Sequence, residues 1–232
     1  MKLFIGTSGF SYPAWKGPFY PEKMKPPEML GFYSHQFNTV EINNTFYRMP
    51  NAKVLESWCQ QTPETFSFSI KASRQITHQL RLKGAEDSVK YLFTQVRALG
   101  ARLGPVLFQL PPFLKKDTER LRVFLQLLPK DVMSVIEFRN LEWFCDEIYD
   151  LLKAHNVILG YADGEVEGEP FVSTGKRGYV RLRHETYDDA SLKSWGDKIK
   201  SQNWDEVYVY FKHEDEGFAP RMARAFREVL EK

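Results

Sequence analysis

Short apolar runs rich in β-branched residues alternate along this chain with stretches whose apolar positions recur every three or four residues. Those are the periods of a strand and of an amphipathic helix. KLFIG (2–6), TVEIN (39–43), FSFSIKA (66–72), PVLFQLP (105–111), MSVIEFR (133–139), VILGYAD (157–163), GYVRLRH (178–184) and EVYVYFK (206–212) read as strands. Helical periods fill 27–37, 52–61, 87–99, 118–128, 144–155, 190–201 and 218–230. Gly100 and Pro63 stand as stops behind two of these helices. Between the sixth and seventh strands, GEVEGEPFVSTGKR has no helical period, so the sixth helix is expected to be missing or replaced by a loop. Repeated strand–helix alternation calls for a parallel sheet with crossover helices, and eight units call for a (β/α)8, TIM-barrel-like fold. A doubly wound open sheet is the alternative, although no GxGxxG follows the first strand.

The alternation within each strand carries further information. The residues packed against helices must be apolar, which sends the other parity toward the barrel axis. Val40 and Ile42 then face outward while Glu41 and Asn43 face inward. The same rule sends Ser67, Ser69, Lys71, Gln109, Glu137, Arg139, Arg181, Arg183, Tyr208, Tyr210 and Lys212 inward. Thr7 and Ser8 follow the first strand, and Asp163 follows the sixth. A barrel interior is ordinarily filled with bulky aliphatic side chains, and unpaired buried charge costs several kcal/mol. These groups therefore either pair inside the barrel or line a pocket at its C-terminal mouth. In the first case Glu41 and Glu137 neutralise Lys71, Arg139 and Arg181. In the second, the excess of Lys71, Arg139, Arg181, Arg183 and Lys212 over Glu41, Glu137 and Asp163 asks for an anion.

The length, 232 residues, suits one such barrel spanning 1–232. A net charge of +2 and a pI of about 8.4 permit an anionic ligand but fall short of the strongly basic footprint of a nucleic-acid protein. Two distant cysteines, Cys59 and Cys145, make no disulfide framework or metal motif. MKLFIGTSGF has too short an apolar run for a signal peptide, and no stretch nears the roughly 18 apolar residues of a membrane span. A cytoplasmic protein with no membrane partner is expected, its oligomeric state left open.

GTSGFSYPAWKGPFYP (6–21), TVEINNTFYRMP (39–50), FSFSIKASRQITH (66–78), LGPVLFQLPP (103–112) and EFRNLEWF (137–144) resemble the DUF72, or YecE-like, family over nearly the whole chain. The resemblance implies a TIM-barrel-like fold and supplies no activity. Two places depart from the family's common pattern. Arg181-Leu182-Arg183-His184-Glu185 stands where relatives commonly read RLHG, and Tyr210-Phe211-Lys212-His213-Glu214 where they read YFNNH.

The favoured reading is a barrel that binds, and acts on, a small molecule bearing phosphate or carboxylate. Arg139 and Arg181 would grip the anion, with Lys71 as a point charge. Glu41 and Glu137 would be a general acid/base pair. Thr7, Ser8, Asn43, Tyr47, Gln109, Trp143, Asp163, Arg183 and Lys212 complete the candidate ligand-binding set. Hydrolase, lyase and isomerase chemistry are equally compatible with it. Lys71 or Lys212 could also form a Schiff base. No cofactor is expected. A divalent metal, as in a metal-dependent phosphodiesterase or nuclease, would need His78, His184 and His213 to gather near Glu41 or Glu137. The non-enzymatic alternative is a nucleotide or nucleic-acid binder. Trp15, Phe19, Tyr20, Phe46, Tyr47 and Trp143 would stack bases, with Lys16, Arg48 and Arg139 between them.

Overall fold

The strand periods become nine short parallel strands in the computed structural model, which describes residues 1–214 and 216–231. They are β1 (Lys2–Ser8), β2 (Thr39–Ile42), β3 (Ser67–Lys71), β4 (Leu103–Gln109), β5 (Ser134–Glu137), β6 (Ile158–Leu159), β7 (Tyr161–Ala162), β8 (Arg177–Leu182) and β9 (Glu206–Phe211). Their order in the sheet is β6-β5-β4-β3-β2-β1-β9-β8-β7. The two ends of that order are successive halves of one segment, joined by Gly160. β6 pairs with β5, and β7 with β8, so the sheet all but closes on itself. The break falls where the backbone packs tightly against β5. A Cβ on Gly160 would stand 2.8 Å from Val135 Cγ1.

Among the described residues, seven helices cover the outside: α1 (Pro26–Gln36), α2 (Ala52–Gln60), α3 (Glu86–Val96), α4 (Thr118–Leu125), α5 (Asp146–Ala154), α6 (Asp189–Lys200) and α7 (Phe218–Glu231). Asn51, Asp117 and Asp188 cap α2, α4 and α6 by accepting from the backbone N–H three residues on. Residues 163–176, between β7 and β8, contain no helix, as their sequence implies. Among the described residues, no helix is long and apolar enough to cross a membrane.

Several boundaries move. β1 runs on to Ser8, so Thr7 and Ser8 are strand residues rather than loop residues. The helix expected over 87–99 ends at Val96 and tightens into a 3-10 turn to Arg102, with Gly100 at φ 54°. The helix expected from Phe144 starts at Asp146, because Cys145 is extended and Leu141–Trp143 form their own 3-10 turn. α4 stops at Leu125, short of Leu128.

Two cores follow from strand parity. Val40, Ile42, Phe68, Ile70, Val106, Phe108, Ile136, Val180, Leu182, Val207 and Val209 all belong to the core between sheet and helices. Each such burial is worth about 1.5–3 kcal/mol. The opposite parity forms a second cluster inside the barrel: Phe4, Leu107, Val135, Ile158, Tyr179, Tyr208 and Tyr210. Phe4 and Tyr208 stack at 4.3 Å. Aromatic rings thus fill the lower barrel, and their hydroxyls lead upward. Tyr210 bonds Thr39 at 2.7 Å, and Tyr179 meets Ser69 at 2.9 Å. The charged inward residues begin only above this layer.

Candidate functional site

The late inward residues of β2, β5 and β8 meet first. Arg181 spans two carboxylates. Its Nε and Nη2 lie 2.9 and 3.0 Å from the two oxygens of Glu41, and its Nη1 donates to Glu137 Oε2 at 2.9 Å. Glu41 also accepts from Ser8 (2.6 Å), Tyr179 (2.6 Å) and Asn43 (3.0 Å). Glu137 accepts from Gln109 at 2.8 Å and pairs with Arg139. Both carboxylates are wholly buried and Arg181 is nearly so. Burial alone would push the acids up. Arg181 and the hydrogen bonds outweigh it, so Glu41 lies below its ordinary range and Glu137 falls to about 2. Burial likewise opposes the Arg181 charge, and Glu41 and Glu137 overcome it, leaving its pKa raised.

Above this set opens a cavity of about 510 Å³ at the C-terminal mouth. Lys71, Arg74, Arg139, Arg181, Arg183 and Lys212 line it with Tyr12, Asn43, Phe46, Tyr47, His78 and Gln109; among the described residues Glu214 is the one carboxylate on its wall. Glu41 and Glu137 lie beneath and do not line it. Lys71 Nζ donates to Gln109 Oε1 at 2.9 Å and stands 4.4 Å from the centroid of the Phe46 ring. Thr45 fastens the loop after β2 to this corner by donating to the Lys71 carbonyl at 2.7 Å. Gln75–Gln79 form a π turn that carries His78 onto Phe46, ring centroids 4.9 Å apart. Such turns recur at functional sites.

The wall is electrostatically unbalanced. Glu165, from the loop that replaces the sixth helix, pairs with both Arg139 and Arg183. Among the described residues, Lys71, Arg74 and Lys212 have no carboxylate within ion-pair distance. Burial, then the Arg181 charge, pushes Lys71 down to about 8 against the partial opposition of Glu41 and Glu137. Burial and neighbouring cations also lower Arg183, Lys212 and His78. Arg139 is lowered by burial although Glu137 supports its charge.

The structure brings together Glu41, Glu137, Ser8, Asn43, Gln109, Lys71, Arg139, Arg181, Arg183 and Lys212. Tyr47 stands at the rim, 74% exposed. Three expected ligand contacts fall elsewhere. Thr7 has the helix-facing parity of Leu3 and Ile5, and its hydroxyl bonds Tyr33 at 2.8 Å. Trp143 is fully buried, stacked on Phe138 at 4.8 Å, its indole donating to the Leu114 carbonyl at 2.7 Å. Asp163 accepts from Tyr187 at 2.7 Å and lies 3.4 Å from His184, off the cavity wall. Trp15, Phe19 and Tyr20 are core residues rather than mouth aromatics. The alternative metal set is dispersed, with His78 beside Phe46, His184 beside Asp163 and His213 beside Phe218. Among the described residues, no three His, Cys, Asp or Glu side chains converge as metal ligands would. Arg74, Tyr12, Glu165 and Glu214 were not expected here. All four come from loops, where strand parity gives no direction.

A barrel of parallel strands whose late inward residues build a cationic mouth over a buried ion set defines a TIM-barrel-like protein with a candidate site at the usual end of the fold. The chain belongs to the DUF72 family, a family of unknown function, whose model matches residues 4–232. It is 28% identical over 228 residues to UPF0759 protein YunF of Bacillus subtilis, covering 92% of this chain and 80% of the relative. A solved DUF72 family protein from Thermotoga maritima superposes with a TM-score of 0.89 at 27% identity over the full length of both chains. A sugar phosphate isomerase/epimerase from Parabacteroides distasonis shares the fold, with a TM-score of 0.56 and 10% identity over 100% of this chain and 97% of that one.

Proposed function

We propose that this protein binds, and acts on, a small molecule carrying a phosphate or carboxylate group at the C-terminal mouth of the barrel. The observation that carries this reading is the unbalanced wall. Lys71, Arg74 and Lys212 face the cavity without carboxylate partners among the described residues, while Glu41 and Glu137 are already committed to Arg181 and Arg139. A bound anion would supply the missing charge and the hydrogen-bond acceptors. Asn43 adds a second requirement. Its Oδ1 is buried with no donor among the described residues, which suits a ligand hydroxyl. The sugar phosphate isomerase/epimerase that shares the fold makes hydroxylated phosphates sensible first compounds to try.

Here Glu41 and Glu137 set the position of Arg181 and Arg139 rather than exchange protons with substrate. Their oxygens are occupied, and they hold their charge well into the acid range. Thermal unfolding in the presence of phosphate, sulfate, simple carboxylates and sugar phosphates tests the reading. Tm rises with the phosphate-bearing compounds, and the rise disappears in Lys71→Met/Lys212→Met. Equal shifts in that variant, or no shift with any anion, would overturn it.

A second reading, nucleotide or nucleic-acid binding, draws on a groove of about 750 Å³ beside the mouth, lined by Tyr47, Arg48, Met49 and Tyr91 among others. Tyr47 borders both cavities. It requires oligonucleotide affinity that falls steeply with salt.

A further inference from the structure

We propose that Lys71 is a nucleophilic amine that forms an imine with an aldehyde or ketone carbonyl on the anionic ligand, the anion being held by Arg183 and Lys212 across the same cavity. This rests on the mouth being an anion site and adds the carbonyl to the substrate class.

The surroundings of Lys71 differ from those of the other lysines. Lys115, Lys116 and Lys153 meet carboxylates on the surface. Lys198 sits among the rings of Tyr161, Phe171 and Trp195, away from the mouth cavity. Lys71 lines the cavity, and among the described residues its amine has one hydrogen-bond partner, a neutral amide oxygen. Gln109 is held in that orientation because its own N–H donates to Glu137 at 2.8 Å. One amide thus separates the amine from a carboxylate that would otherwise fix it as ammonium. On the other side is the face of Phe46. Burial and the adjacent arginines bring the amine to about 8, so a useful fraction is neutral near physiological pH. Lys212 also lines the cavity, but Glu214 partly supports its charge, and among the described residues it has no neutral acceptor like Gln109.

The chemistry is balanced without a co-reactant. The neutral amine's lone pair forms the C–N bond as the carbonyl π electrons move to oxygen. Proton transfer from nitrogen to oxygen gives a carbinolamine. Loss of the hydroxyl with the second N–H proton releases one water and leaves C=N. Protonated from solvent, the imine withdraws electrons from the neighbouring C–H or C–C bond, and hydrolysis returns the amine.

Pyridoxal 5′-phosphate, an aldehyde bearing a phosphate, is a suitable probe, with borohydride reduction and peptide mass mapping as the readout. Lys71 is expected to be labelled at least about tenfold faster than surface lysines near neutral pH, a fraction of the advantage its depressed pKa allows. Its rate should rise with a midpoint near pH 8. Inorganic phosphate should protect it, pyridoxal lacking the phosphate should label it more slowly, and Lys71→Arg should lose the adduct. Label spread evenly over surface lysines, or placed on Lys212, overturns the proposal; mapping of the wild-type chain decides this even if Lys71→Arg fails to fold. Anion-induced stabilisation without a Lys71 adduct removes the imine and keeps the anion site, whereas absence of both removes both.

Discussion

Two charged layers lie one above the other in this barrel. In the lower one, Arg181, Glu41 and Glu137 are buried and bonded to one another, with Tyr179 and Ser8 donating to Glu41, although Arg181 Nε makes no well-directed hydrogen bond. In the upper one, Lys71, Arg74 and Lys212 face a cavity with no carboxylate partner among the described residues. The lower layer holds its carboxylates below their ordinary pKa, and the upper one holds Lys71 below its own. Positive charge contributes to both shifts, outweighing burial at the acids and adding to burial, the larger cause, at Lys71. Below, that field meets acids and stabilises them. Above, it meets more cations and destabilises them. The contrast separates an ion set completed within the chain from a cationic wall that the proposed anion would complete.

The largest effect should come from breaking the lower layer. Arg181→Met leaves two buried carboxylates without their shared cation and should cost about 3–5 kcal/mol or more by urea unfolding. A near-neutral result would mean that the two acids find other partners. Acid acts on the same layer. Glu137 is depressed from 4.5 to about 2, so its contribution is complete above the higher value and disappears as pH falls between them. Denaturation midpoints should therefore drop across that window, and less so in Glu137→Gln, which already lacks the group. The upper layer should respond with the same sign, stability rising with pH, but in a higher window. Below about pH 8 a charged Lys71 is held at a cost that is relieved as pH rises toward 10.5, because the unfolded chain binds the proton more tightly there. Lys71→Met should stabilise the ligand-free protein near neutral pH by about 1–3 kcal/mol, scaled from about 1.4 kcal/mol per pKa unit. Destabilisation would show that Lys71 already has its counter-charge. The smallest change is expected for Arg97→Ala. Its pair with Asp131 is more than half exposed on both sides and should contribute under about 1 kcal/mol.

Much of this was legible in the chain. Period-two alternation identified the outward set, from Val40 to Val209, and so placed Glu41, Lys71, Glu137, Arg181 and Lys212 on the axis. Missing from that reading was height along the axis and partner choice. Arg181 lies beside Ala162 and Tyr210 in the ladder, low enough to reach both acids. Lys71 is turned to Gln109 instead. An internal ion network and an open cationic mouth were alternatives in the sequence; in the fold they are successive layers. Thr7 was misplaced because β1 was ended too early. Extending the alternation of Leu3 and Ile5 by two residues puts it on the helix side. Trp143 was misplaced for a different reason. A loop aromatic can fold back under the barrel rim, and no periodicity marks which way it turns. Glu165 was invisible for the same cause, lying in a segment with no period at all.

The anion claim is tested most directly by calorimetric titration with sulfate, which does not itself titrate near neutrality, at about pH 8 in buffers of different ionisation enthalpy. Saturable binding with proton uptake is expected, since an anion beside Lys71 raises its pKa, and the uptake should shrink in Lys71→Met. Absence of saturable binding, or binding with no proton uptake in the wild-type chain, would contradict the assignment of the mouth as an anion site completed by Lys71.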